Sequence, residues 1–149
     1  MRNLIILLVL VAGLASCSND SSLLEKSKEL NASSQQKWVL VKMTSAWGLG
    51  STTGSAMQWQ EYFVFNKDGT FTKSREQESA TKSATGTFAI VTEAGQQFIE
   101  LTYTGGDELK ASCYPKERLE KVSVDLLRGT WGHCDGPTLD YAIENLTEQ

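Results

Sequence analysis

From Lys37 onward the chain breaks into short runs that alternate apolar and polar residues, each closed by turn chemistry before it is long enough for a helix. The pattern is clearest around residues 59–74. Trp59, Glu61, Phe63 and Phe65 fall on one side of an alternating run, with Gln60, Tyr62 and Val64 on the other. Asn66-Lys67-Asp68-Gly69 follows, carrying the Asp-Gly pair that marks a tight hairpin, and Thr70-Phe71-Thr72-Lys73-Ser74 returns. Further strand candidates are 38–43, 86–91, 97–104, 109–114, 120–127 and 139–143, while residues 75–85 are polar and read as a loop or the flared end of a hairpin. Such short strands joined by tight turns predict an all-β fold, a small antiparallel up-and-down barrel of about eight strands, with a two-sheet sandwich as the alternative.

The first residues have a different character. Met1-Arg2-Asn3 supplies one positive charge, residues 4–14 are apolar apart from one glycine, and Leu14-Ala15-Ser16-Cys17 follows. A basic residue, a short apolar run and small residues form the pattern of an export signal. The run is too short for a permanent membrane helix, which needs about 20 residues. Leu14-Ala15-Ser16-Cys17 resembles the lipobox of bacterial lipoproteins. That resemblance implies cleavage before Cys17, a diacylglycerol thioether on its sulfur and an acyl chain such as palmitate on its amino group. An ordinary secretory signal with a chance cysteine is the alternative. The expected organisation is a signal peptide over 1–16, lipidated Cys17 with a polar tether over 17–36, and a barrel domain over 37–149. Several acyl chains anchor stably where one does not. The expected location is the bacterial cell envelope, on the outer membrane rather than the inner.

Composition narrows the function classes. Removing residues 1–16 leaves 133 of the 149 residues and moves the formal charge from −4 to −5, since only Arg2 is lost. A mildly acidic chain without a Lys/Arg cluster lacks the footprint of nucleic-acid binding. Of the three cysteines, lipidation would consume Cys17. Cys113 and Cys134 remain, an even number in an oxidising compartment, and a disulfide between them is favoured over a metal or redox pair.

Three segments carry a family resemblance. Lys37-Trp38-Val39-Leu40-Val41 resembles the opening strand of the small lipocalin-like lipoproteins of Gram-negative bacteria; Phe65-Asn66-Lys67-Asp68-Gly69-Thr70-Phe71-Thr72 resembles their Phe-x-x-Asp-Gly-Thr-Phe hairpin; and Cys134-Asp135-Gly136-Pro137 resembles a segment near the end of some members. The match runs from Lys37 to about Ile143 and implies a lipocalin-like barrel. The Gly-x-Trp triplet of typical lipocalins reads Gln36-Lys37-Trp38 here, and the domain is short for a deep ligand cavity.

Candidate functional residues are few. Residues 44–58 make a long, glycine-rich connection carrying Trp47 and Leu49, expected either to plug one barrel end or to fold over an apolar ligand. Phe63, Phe65, Phe71, Phe88 and Ile90 would line an interior ligand site. Trp38, Trp59 and Trp131 sit on strand candidates and read as packing. His133, the only histidine, has no nucleophile elbow to serve and no ligand spacing for zinc. Glu76, Glu78, Asp107 and Glu108 read as solvated turn charges. No catalytic constellation, metal site or cofactor is expected. The leading expectation is a membrane-tethered, non-enzymatic module for a small apolar or amphipathic ligand. The alternative is a filled barrel that meets an envelope protein through its loops and outer face.

Overall fold

A computed structural model describes residues 35–144. The expected signal peptide, Cys17 and most of the tether lie outside the described residues. Nine strands run in chain order: β1 (Gln36–Thr44), β2 (Ser51–Thr53), β3 (Gln60–Phe65), β4 (Thr70–Gln77), β5 (Ala80–Glu93), β6 (Gln96–Gly105), β7 (Glu117–Lys121), β8 (Leu126–Gly129) and β9 (Thr138–Glu144). All neighbours pair antiparallel. β1 closes the sheet. On one edge Trp38 faces Phe63 of β3, and on the other it faces Ile143 of β9. Strands β1 and β3–β9 therefore form a closed eight-stranded up-and-down barrel. Closure rules out the sandwich and leaves no long unpaired edge. β2 pairs only with Lys42, Met43 and Thr44 of β1, on the edge opposite their pairing with β9, so the paired part of this hairpin belongs to the wall and only its turn leaves it.

The alternation read from the sequence becomes an inside and an outside. Phe63 and Phe65 of β3, Phe71 of β4, Ile99 and Leu101 of β6, Leu119, Leu127, Leu139 and Tyr141 all point inward and are at most 2% exposed. Complete burial of each such side chain contributes about 1.5–3 kcal/mol. Two irregularities let the wall curve. β1 slips register between Leu40 and Lys42, and β5 slips between Thr85 and Gly86. Gly86 is inward-facing, and a Cβ there would lie 2.1 Å from the Thr102 carbonyl oxygen and 2.7 Å from the Phe71 ring. The aromatic ring occupies the space that the glycine leaves.

Residues 75–85 are the outer, flared part of a continuous β4–β5 hairpin, one of the two expected forms, turned by Glu78 and Ser79 at φ 52° and 64°, two non-glycine residues in the left-handed region. Three expected elements differ. Residues 120–127 are not one strand: Val122 and Val124 are 43% and 39% exposed in the turn between β7 and β8, where Val122 N–H bonds the Leu126 carbonyl at 3.0 Å. Residues 109–114 form no strand either. Asp107–Leu109 is a 3₁₀ turn, and the chain after it is drawn over the barrel end by contacts described below. Trp131 lies in the 3₁₀ turn Thr130–Cys134, packed against Gly136, where a Cβ would sit 2.3 Å from its ring. At the start of the domain, Gln36 already belongs to β1.

The barrel has two unlike ends. The lower end carries the β3–β4, β5–β6 and β7–β8 turns together with Gln36 and Glu144. The upper end carries the β4–β5 turn and the longer connections, and there Cys113 and Cys134 join the β6–β7 and β8–β9 connections in a disulfide with Cα atoms 6.3 Å apart.

Candidate functional site

The interior comes first because a lipocalin-like barrel would bind there. Its lower part holds an aromatic cluster. Phe63 and Phe65 lie 5.6 Å apart with near-parallel rings, and Phe71 and Tyr141 meet Phe63 at 6.2 and 5.2 Å. Phe88 is half-buried and meets Phe65 edge-on at 5.0 Å. Ile90 is 37% exposed at the lower rim. Of the five residues expected to line a ligand site, three fill the core themselves, one packs on it and one reaches solvent.

Above the aromatics the interior becomes ionic. Lys73 of β4 is fully buried, with Nζ 3.2 Å from Glu61 Oε1 and 3.2 Å from Glu117 Oε1. It also donates to the Leu109 carbonyl at 2.9 Å and stands 4.8 Å from the Phe63 ring centroid. Arg75 donates to Glu61 Oε2 at 2.5 Å and lies over the Trp59 ring at 4.4 Å. Each carboxylate has further donors. Tyr141 OH donates to Glu61 at 2.6 Å, Tyr103 OH donates to Glu117 at 2.5 Å, and the Ala111 N–H donates to Glu117 at 3.0 Å. Two cations face two anions, so the buried set is formally neutral, and every charge has both an ionic and a hydrogen-bonding partner. That satisfaction is what makes buried charge tolerable. The same contacts explain why residues 109–114 leave the sheet. The Leu109 carbonyl and the Ala111 N–H bond buried side chains instead of a neighbouring strand, which pulls Leu109 and Ala111 into the barrel mouth at 3% and 1% exposure.

The tyrosines register this environment. Burial, and then the negative charge of Glu117, push the Tyr103 hydroxyl far above the usual phenol range. Burial and then Glu61 do the same for Tyr141. Both therefore act as fixed donors.

Met57 and Trp59 complete the plug at 6% and 8% exposure. The two large apolar residues expected to cover the opening do not touch it. Trp47 and Leu49 sit on the β1–β2 hairpin at 79% and 88% exposure.

Outside the barrel, a groove of about 560 Å³ runs between the β6–β7 wall and the disulfide-linked connections. Phe98, Tyr114 and Pro115 give it an apolar lining, with Arg118, Lys116 and His133 at its edges. Arg118 is held in place by Glu100 at 2.8 Å and Glu93 at 2.8 Å, and Lys116 bonds Glu100 at 2.5 Å. Those two cations hold the Glu100 carboxyl below its usual range. Trp38 and Trp59 are buried, whereas Trp131 is half-buried beside the core. Glu76, Glu78, Asp107 and Glu108 are exposed. Among the described residues no three His, Cys, Asp or Glu side chains converge as a metal-binding set.

Lys73, Arg75, Tyr103 and Glu117 are visible in the sequence only through register. Glu61 and Lys73 occupy positions in step with the inward phenylalanines, opposite in sign and on adjacent strands, which is the one signal that could have paired them. Comparison with protein-family models, with curated proteins and with solved structures returns no match to this chain.

Proposed function

We propose that this chain is a lipid-anchored, non-enzymatic protein of the bacterial cell envelope, related to the small lipocalin-like lipoproteins, whose barrel serves as a rigid platform for a protein partner. The observation that carries this reading is the filled interior. The positions that would face a ligand are occupied by the packed phenylalanines and by the Glu61–Lys73–Glu117 network, and Leu109 and Ala111 cap the mouth. A small apolar ligand would have to displace a neutral, fully bonded ion set. Binding is therefore assigned to the outer surface, where the groove beside Phe98, Tyr114 and His133 offers an apolar concavity. Apolar and aromatic lining with an ordered arginine at the edge is the composition favoured at protein contacts.

Two measurements test it. Native mass spectrometry of the chain is expected to show a bare polypeptide, apart from lipid on Cys17, two hydrogens light from the disulfide. Site-specific photo-crosslinking from Tyr114 in the envelope is expected to capture a protein, with none captured from Lys67 at the opposite end. A stoichiometric small molecule released on unfolding would overturn the platform reading in favour of an interior ligand.

A further inference from the structure

We infer that the β1–β2 hairpin is a membrane finger, inserting Trp47 and Leu49 into the interface of a phospholipid bilayer. Four observations point there. First, the hairpin is ordered. Lys42, Met43 and Thr44 pair with Thr53, Thr52 and Ser51, and the tip is closed by Ser45 N–H to the Gly50 carbonyl at 3.0 Å and Gly48 N–H to the Ser45 carbonyl at 2.9 Å, with Gly48 at φ 67°. The backbone thus holds two of the largest apolar side chains in water at 79% and 88% exposure. Second, residues 43–60, eighteen in a row, contain no Asp, Glu, Lys, Arg or His, although such charged residues make up 21% of the chain without counting histidine. Serine, threonine, glycine and glutamine supply the polarity instead. Burying a charge in the hydrocarbon of a bilayer is costly, and a segment without any enters it free of that penalty. Third, tryptophan is the side chain most suited to that boundary, with an apolar body and one N–H. Fourth, the bilayer is within reach. The residues between Cys17 and Gln35 can extend to roughly 60 Å, while a strand the length of β1, tilted as in small barrels, rises only about 25 Å. The upper end can therefore face the membrane that holds the anchor, even though the tether joins at the lower end.

This last step rests on the lipid anchor of the proposed function; the first three do not. A second contact would fix the orientation of the barrel on the membrane and leave its groove wall facing sideways to a partner.

The experiment uses the full chain, isolated from membranes in detergent and reconstituted into phosphatidylcholine vesicles with or without brominated acyl chains. The fluorescence of Trp47 is taken as the difference between wild type and Trp47→Ala. Insertion to about 5–10 Å places the indole near the bromines, so the difference spectrum is expected to shift to shorter wavelength and to lose roughly half its intensity or more. High salt should leave this unchanged, because the finger carries no charge. Leu49→Ser should weaken the quenching while circular dichroism stays that of wild type. A difference spectrum that keeps its aqueous maximum and is quenched by iodide in solution overturns the finger, as does crosslinking of Trp47-position probes to protein instead of lipid. Mass spectrometry of the same preparation reports the lipid on Cys17 separately. A lipidated chain without quenching refutes the finger alone, and an unlipidated chain that is still quenched refutes the anchor alone.

Discussion

Replacing Lys73 by methionine is the sharpest test of the buried network, because it keeps an apolar stem of nearly the same shape and removes the ammonium. At an effective dielectric constant near 20, each of its two ion pairs at 3.2 Å is worth about 5 kcal/mol of Coulomb attraction. Desolvating the ammonium offsets several kcal/mol of that. What remains is not symmetrical. Glu61 keeps Arg75 and Tyr141, but Glu117 loses the one cation bonded to it among the described residues and keeps only the Tyr103 hydroxyl and the Ala111 N–H. Removing one partner of a buried pair costs about 3–5 kcal/mol. A domain of this size has a total stability of roughly 5–15 kcal/mol, so Lys73→Met should lower Tm by about 12–20 °C. Urea unfolding followed by tryptophan emission measures it, since Trp38 is fully buried. The diagnostic is the double variant. Glu117→Gln alone should destabilise, yet added to Lys73→Met it should recover about 1–3 kcal/mol by removing the orphaned charge. A loss below about 1 kcal/mol for Lys73→Met, or simple additivity of the two changes, would refute the account of the interior given above.

Other consequences are as direct. Tyr103 and Tyr141 have hydroxyls raised above the unfolded value near 10, so their contribution is complete below pH 10 and is lost as pH rises further; stability should fall by up to about 2.7 kcal/mol per pH unit there, measured by urea unfolding between pH 9 and 11. Phenylalanine at either position should roughly halve that slope. Cys113→Ala should cost about 3 kcal/mol, the chain-entropy value for a loop closed across a separation of 21 residues; the same loss should appear in wild type under reductant, and no difference between oxidised wild type and variant would remove the disulfide's role. Gly86→Ala should destabilise by about 1–3 kcal/mol or more, because its Cβ meets the Thr102 carbonyl and the Phe71 ring; thermal melts decide this. Cys17→Ser combined with Trp47→Ala and Leu49→Ser should move the protein from the membrane fraction to the soluble one with the melting curve of the barrel unchanged, and retention of this variant on membranes through a high-salt wash would count against the anchor.

Much of the barrel was legible in the sequence because its causes are local. Alternation at period two marks which residues face inward, and Asp68-Gly69 turns a hairpin through Gly69 at φ 81° with Asp68 accepting from the Thr70 N–H at 3.0 Å. Two turns owe their conformation to tertiary pairing. Glu78 and Ser79 turn in the left-handed region without a glycine, and Val122 and Val124 look like strand yet form a turn; in both places the pairing of the flanking strands sets the conformation. Cysteine count alone suggested the Cys113–Cys134 bridge, which the fold realises by stacking two connections at one end of the barrel.

Whether the interior is open or filled could not be read locally. Glu61, Lys73 and Glu117 come from three strands, and only closure of the sheet brings them within bonding distance and takes water away. The same closure draws Leu109 and Ala111 inward as a cap, leaving Trp47 and Leu49, the residues that looked suited to cover it, standing in solvent. The period of each strand, the main hairpin and the even pair of cysteines depend on neighbours along the chain and could be read there. What fills the barrel and which apolar residues remain outside depend on neighbours in space, because burial and charge pairing arise only once the sheet has closed.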